Sequence, residues 1–106
     1  MSNIQFKKGV LELCVLSMLV NQDRYGYELA STLSETIQIA DGTIYPILRK
    51  LAADGQLTTY LRESPEGPPR KYYAITGAGR QAQRELLEEW LLFTQHVGKI
   101  MGGARS

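Results

Sequence analysis

The spacing of apolar residues changes twice along this chain, and the two changes limit the folds open to it. Up to Gly55 apolar side chains recur every three or four residues, the period of a helix. From Leu57 they alternate, and after Thr76 the helical period returns. Leu57, Thr59 and Leu61 alternate with Thr58, Tyr60 and Arg62, as in a half-buried strand. Lys71–Tyr72–Tyr73–Ala74–Ile75 repeats the alternation with β-favouring residues. Between these runs, Glu63 to Arg70 holds Pro65, Gly67, Pro68 and Pro69. Proline donates no ladder hydrogen bond, so this stretch has to turn and does not suit a central strand. The pair predicts one antiparallel hairpin with a longish, proline-stiffened tip.

Three helical patterns precede the hairpin. Residues 6–20 are apolar on nearly every face after Lys8. Such a helix is either central in a core or shared with a partner, and a chain of 106 residues favours sharing. A second helix is predicted from Tyr25–Gly26–Tyr27 to Ile37, with Leu29, Leu33 and Ile37 on one face. A third spans about 43–54, opened by Asp41–Gly42–Thr43 and closed by Gly55 in a left-handed cap. Pro46 fixes its start, because a residue without an N–H fits only where the first turn leaves donors unpaired. Ile44, Ile47, Leu48 and Leu51 make the inner face, and Tyr45 and Arg49 project together from another.

Thr76 is the expected N-cap of a last helix over 77–101. Along it Gln83, Leu86, Trp90, Phe93, Val97 and Ile100 form a heptad-like seam, which Gly98 interrupts and Gly102–Gly103 end.

Composition removes several function classes. The single cysteine, Cys14, excludes an internal disulfide framework and a cysteine-cluster metal site. On an apolar helix it reads as a buried, inert thiol. His96 is the sole histidine, no paired-carboxylate or Ser/His/Asp pattern is visible, and no glycine loop suited to phosphate occurs. We therefore expect no enzyme, no metal and no cofactor. No stretch is apolar enough to span a bilayer or to suit a signal peptide, so a cytoplasmic protein without a membrane partner is expected.

Helix, helix, helix, hairpin is the order of a winged helix-turn-helix, in which the third helix enters a DNA major groove. Many small α+β domains share that order, but here particular residues add to it. VLELCVLSML at 10–19, YGYEL at 25–29, DGTIYPILRKLAADGQL at 41–57 and RKYYAIT at 70–76 resemble the PadR-like transcriptional regulators. The resemblance runs over roughly residues 9–80, and the single late helix is similar to the short-tailed, multidrug-sensing branch. Two departures stand out. Such wings often carry a Gly-Gly-Arg-type tip, whereas here Glu66–Gly67–Pro68–Pro69 precedes Arg70. The last helix also opens with unusually many glycines.

The resemblance implies an α+β, mostly helical fold: a winged helix-turn-helix over 1–76 with an added C-terminal dimerisation helix over 77–106. It implies that Thr43, Tyr45 and Arg49, around Pro46, face the major groove. Lys50, Arg70 and Lys71 would meet phosphates, and Tyr27 would lie near one. A solvated helix face with a capping threonine, and an exposed basic pair on a hairpin, explain the same residues without DNA. Formal net charge is only +1, yet the cations are unevenly spread. Residues 41–80 carry six basic against four acidic residues, whereas residues 1–40 carry three against four.

In the resembling branch a tryptophan at the place of Trp90 lines a flat pore between subunits that stacks planar aromatic drugs. Phe93, Val15 and Met18 would share that wall, with Leu86 and Val97 in the seam; all are equally explained as core. The sequence thus points to a DNA-binding regulator, a repressor acting as a homodimer through its first and last helices on a pseudo-palindromic operator. A winged-helix module for protein assembly, and a sensor of aromatic small molecules at the dimer interface, remain the alternatives.

Overall fold

Because it is apolar on nearly all sides, α1 (Asn3–Leu19) runs through the middle of the molecule. Leu11, Val15, Leu16 and Leu19 are buried on it. They pack with Leu29, Ala30 and Leu33 of α2 (Gly26–Ile37) and with Ile44, Ile47, Leu48 and Leu51 of α3 (Ile44–Ala53). The computed structural model describes residues 3–102, with side chains from residue 9 onward. Within them, one chain encloses most of α1. This corrects the expectation that the helix exceeds what a single protomer can cover. Phe6, Lys7 and Lys8 have side chains outside the described set.

A two-residue strand, β1 (Arg24–Tyr25), precedes α2 and was not foreseen. It pairs with Tyr72 and Tyr73 of β3 (Gly67–Ile75), whose other edge carries β2 (Leu57–Ser64). The sheet order is β1–β3–β2, all antiparallel. The hairpin also differs from expectation at its tip. Ser64 pairs with Gly67, so the turn shrinks to Pro65–Glu66, and Pro68 and Pro69 lie within β3. They are tolerated there because β1 reaches only Tyr72 and Tyr73, which leaves the proline stretch on an edge.

The turns follow local chemistry. A 3-10 turn at Asp41–Thr43 leads into α3 and puts Pro46 in the first helical turn, where no donor is lost. The Thr43 side chain makes no cap hydrogen bond; its backbone N–H donates to Ala40 O at 3.0 Å. Gly55 has φ of +79°, the left-handed conformation expected after α3. Gln38 closes α2 in the same region, at φ +65°, without glycine's freedom. At the far end α4 stops at Ile100, and Gly102 has φ of +79°. Gly103 lies outside the described residues.

At the start of α4 (Gly77–Ile100) the Thr76 hydroxyl accepts from the Gly79 N–H at 3.1 Å and donates to Gly55 O at 2.7 Å. The Thr76 N–H donates to Gln56 O at 3.1 Å. A Cβ on Gly79 would collide with that same Gln56 carbonyl, so one of the glycines opening this helix is sterically required. Gly77 meets nothing, so its lack of a side chain serves no packing purpose. Gly79→Ala is therefore expected to cost about 1–3 kcal/mol as an overpacked site. Gly77→Ala should leave the urea midpoint near that of the wild type, and paired denaturation curves decide between them.

Candidate nucleic-acid interface

The inner face of α3 is committed to the core, and this fixes what the rest of the helix presents. Ile44, Ile47, Leu48 and Leu51 are buried, while Thr43, Pro46, Arg49 and Lys50 are exposed and Tyr45 is half-buried. The start of α2 is held against the sheet. A Cβ on Gly26 would stand 2.8 Å from the Tyr73 ring, so only glycine lets α2 begin this close to β3. That contact also assigns the two adjacent tyrosines. Tyr73 turns inward and is buried, and Tyr72 turns to the opposite face.

The result is a shallow depression of about 250 Å³ lined by Tyr25, Gly26, Tyr27, Tyr45, Arg49, Lys71 and Tyr73. Of the residues expected to meet DNA, Tyr27, Tyr45, Arg49 and Lys71 thus share one surface, drawn from α2, α3 and β3. Thr43 and Pro46 are exposed at the entrance of α3, outside its lining. Burial, and then the Asp41 carboxylate, push the Tyr45 phenol up, so it stays protonated and able to donate at neutral pH. The Lys71 ammonium sits 5.9 Å from the centre of the Tyr73 ring. Cation and ring support one another there.

Two expected contacts are placed elsewhere. Lys50 Nζ lies 3.0 Å from Asp54 Oδ2 and 3.3 Å from Glu12 Oε2, bridging α3 to α1. The Asp54 hydrogen bond, aided by the Glu12 carboxylate, pushes the ammonium up, and Lys50 does not line the depression. Its partner Glu12 is 38 positions away, beyond the reach of any local spacing argument. Arg70 is on the opposite face of the wing from Lys71, since neighbours on a strand alternate. Its guanidinium lies 4.8 Å from the centre of the Tyr25 ring.

That outer face carries a feature the sequence reading missed. Tyr60 and Tyr72 pair across the hairpin with ring centres 5.7 Å apart, and Tyr25 continues the stack at 5.9 Å. Arg62 lies over Tyr72 at 4.3 Å, and Tyr60 Oη donates to Asp23 Oδ2 at 2.6 Å. The stack ties the wing to the segment that leads into α2. Alternation was visible along each strand, but the register that aligns the three rings depends on the length of the turn.

On the other side of the molecule, Gly9, Val10, Leu13, Leu86, Glu89, Trp90 and Phe93 line a mostly apolar groove of about 370 Å³ between α1 and α4. Val15 and Met18 are not part of it. Val15 is fully buried in the protomer core, and Met18 packs against that core while its carbonyl accepts from Arg24 Nε at 2.7 Å. Both fall on another side of α1 from Gly9, Val10 and Leu13, which line the groove. Val97 is half-buried farther along α4. Cys14 is partly buried, and burial pushes its thiol up, in keeping with an inert side chain.

Residues 15–85 match the model of the transcriptional regulator PadR-like family, from the end of α1 through α2, α3 and the wing to the start of α4. The chain belongs to the PadR-like family. A solved transcriptional regulator from Streptococcus is 40% identical, with a TM-score of 0.84, covering 93% of this chain and 99% of that one. A PadR-like regulator from Bacillus cereus is 33% identical, with a TM-score of 0.80, over 92% of this chain and 96% of the other. A transcriptional regulator of Mycobacterium tuberculosis is 34% identical over 93% of this chain and 90% of its own length. This PadR-like chain is thus a DNA-binding transcriptional regulator with a winged helix, not an enzyme. Among the described residues no helix is long and apolar enough to cross a membrane, and no group of side chains suits a metal ion.

The placement of Lys50 has a direct consequence. Because its ammonium is engaged by Asp54 and Glu12, Lys50→Gln is expected to leave the dependence of DNA affinity on salt nearly unchanged. A slope reduced by about one unit would return Lys50 to the interface.

Proposed function

We propose that the protein is a repressor that binds a pseudo-palindromic operator as a homodimer, with α3 in the major groove. The observation that carries the DNA-reading half is the convergence of Tyr27, Tyr45, Arg49 and Lys71 on one surface. Thr43 and Pro46 join it at the entrance of the helix, and Arg49 is the base reader. Support for the dimer comes from α4. Beyond Trp90 it exposes Leu91, Leu92, Phe93 and Ile100, with Met101 just past its end, more apolar surface than a lone helix leaves in water. A second copy covering this surface and the outer end of α1 would give a two-fold assembly. Its recognition helices would face half-sites about 34–36 Å apart.

An effector acts, in this reading, at the groove that Trp90 and Phe93 share with Val10 and Leu13. Its volume and apolar walls suit a planar aromatic molecule. Occupancy changes the spacing of the subunits, so that both recognition helices no longer reach their grooves together. The regulator works in the cytoplasm, where its promoter lies.

Titration of labelled promoter duplexes against salt tests the first part. Binding should weaken steeply, by roughly one unit of log–log slope per phosphate contact. Flat or absent binding would favour a winged-helix module for protein assembly. Arg49→Ala should cost about 1–3 kcal/mol and relax one operator position. Sedimentation of the free protein should give a dimer. Leu91→Glu combined with Phe93→Glu should give a folded monomer with weakened operator binding.

A further inference from the structure

The wing has two unlike faces, and the register of β2 and β3 decides which residues go where. Leu61 pairs with Lys71, and Thr59 with Tyr73. Tyr73 is buried against the body, so Lys71 and Leu61 continue the same face outward, and Lys71 shares its depression with Arg49 and Tyr45. Arg62 and Arg70 pair on the opposite face, where both guanidinium groups lie over tyrosine rings. The tip itself carries Glu63 and Glu66, and no lysine or arginine falls between Arg62 and Arg70. Two carboxylates there repel phosphate, so the tip does not suit insertion into a groove. The stem does.

Leu61 is 68% exposed, the most exposed large apolar residue described before α4. A single exposed leucine on a surface is ordinary. This one directly faces Lys71 across the hairpin, at the cross-strand distance of about 4.5–5.5 Å between Cβ atoms. It therefore extends, through Lys71, the face that carries Tyr45 and Arg49.

We propose that Leu61 is a DNA contact, pressed by the wing against deoxyribose and base edges of the minor groove beside the site that α3 reads. Lys71 neutralises the adjacent phosphate. Apolar side chains in that groove respond to its width and to the ease of unstacking a base step rather than to a hydrogen-bonding code. The wing thereby adds a preference for easily deformed steps next to each half-site. The cationic neighbours, and continuity with the recognition surface, favour DNA over a protein partner as the occupant. The inference rests on the DNA-binding reading of α3 given above.

The test uses the full chain and duplexes that the wild-type protein selects from a random-sequence library. Leu61→Ala should weaken binding roughly tenfold, the worth of partly burying a leucine. The log–log salt slope should stay unchanged, because an apolar contact releases no counterions. Sequence preference should relax only at positions flanking the part read by α3. Leu61→Thr preserves strand propensity and should show the same loss, which separates the contact from a folding defect. Leu61→Lys should raise the salt slope by about one unit, since the new ammonium falls beside phosphate. The proposal is overturned if Leu61→Ala and Leu61→Thr bind and select as the wild type does. It also fails if their loss is uniform across all duplexes. If the wild type selects no duplex, the reading of α3 falls first, and this inference with it.

Discussion

One carbonyl group holds the geometry of this molecule together. Gln56 O receives the Thr76 N–H and lies so close to Gly79 that no Cβ fits between them. Gln56 follows α3 and enters β2, whereas Thr76 leaves β3 and caps α4. The end of the recognition helix, both roots of the wing and the start of the long helix therefore meet at one point. The hydroxyl of Thr76 closes the same junction by bonding to Gly55 O and to the Gly79 N–H. Any change in the direction of α4 must be transmitted here. The α2–α3–β3 surface and the α1–α4 groove are thus connected through a hydrogen-bonded junction rather than through a flexible linker.

The recognition surface gains its rigidity from residues that never reach it. Four buried side chains anchor α3, and Tyr73 packs beneath Lys71 while crowding Gly26. Lys50 adds a tie from α3 to Glu12 of α1. With the Lys50 side chain 44% exposed to solvent, the pair is worth little as stability. It nonetheless fixes which way one of the two cations of α3 points. On the outer face of the wing, stacked tyrosines and two arginines perform a comparable task by linking β2, β3 and β1.

Much of this was legible from residues whose chemistry is local. Thr76 caps α4, Gly55 adopts the left-handed conformation after α3, and Pro46 sits in a first turn, as their chemistry requires. What the sequence concealed depends on contacts between distant segments. The ion pair between Lys50 and Glu12 was not foreseen, because Glu12 gives no sign, from its position, that it will reach α3. Pro68 and Pro69 were read as turn residues because a two-residue β1, too short for any pattern, decides where β3 is an edge. Arg70 and Lys71 looked like one basic pair until the register placed them on opposite faces. Val15 and Met18 were assigned to an interface because the depth of α1 within its own protomer is a property of three-dimensional packing.

The aromatic residues divide the molecule in a way that matters for observing it. All six tyrosines lie between positions 25 and 73, in the part formed by α2, α3 and the wing. The single tryptophan lies beyond them, in the wall of the groove between α1 and α4. The natural protein therefore carries two optical reporters in two places, one absorbing and emitting at shorter wavelength than the other. Energy passing from the tyrosines to Trp90 falls steeply with their separation. Its efficiency is a built-in ruler between the half built from α2, α3 and the wing and the groove between α1 and α4, needing no added label.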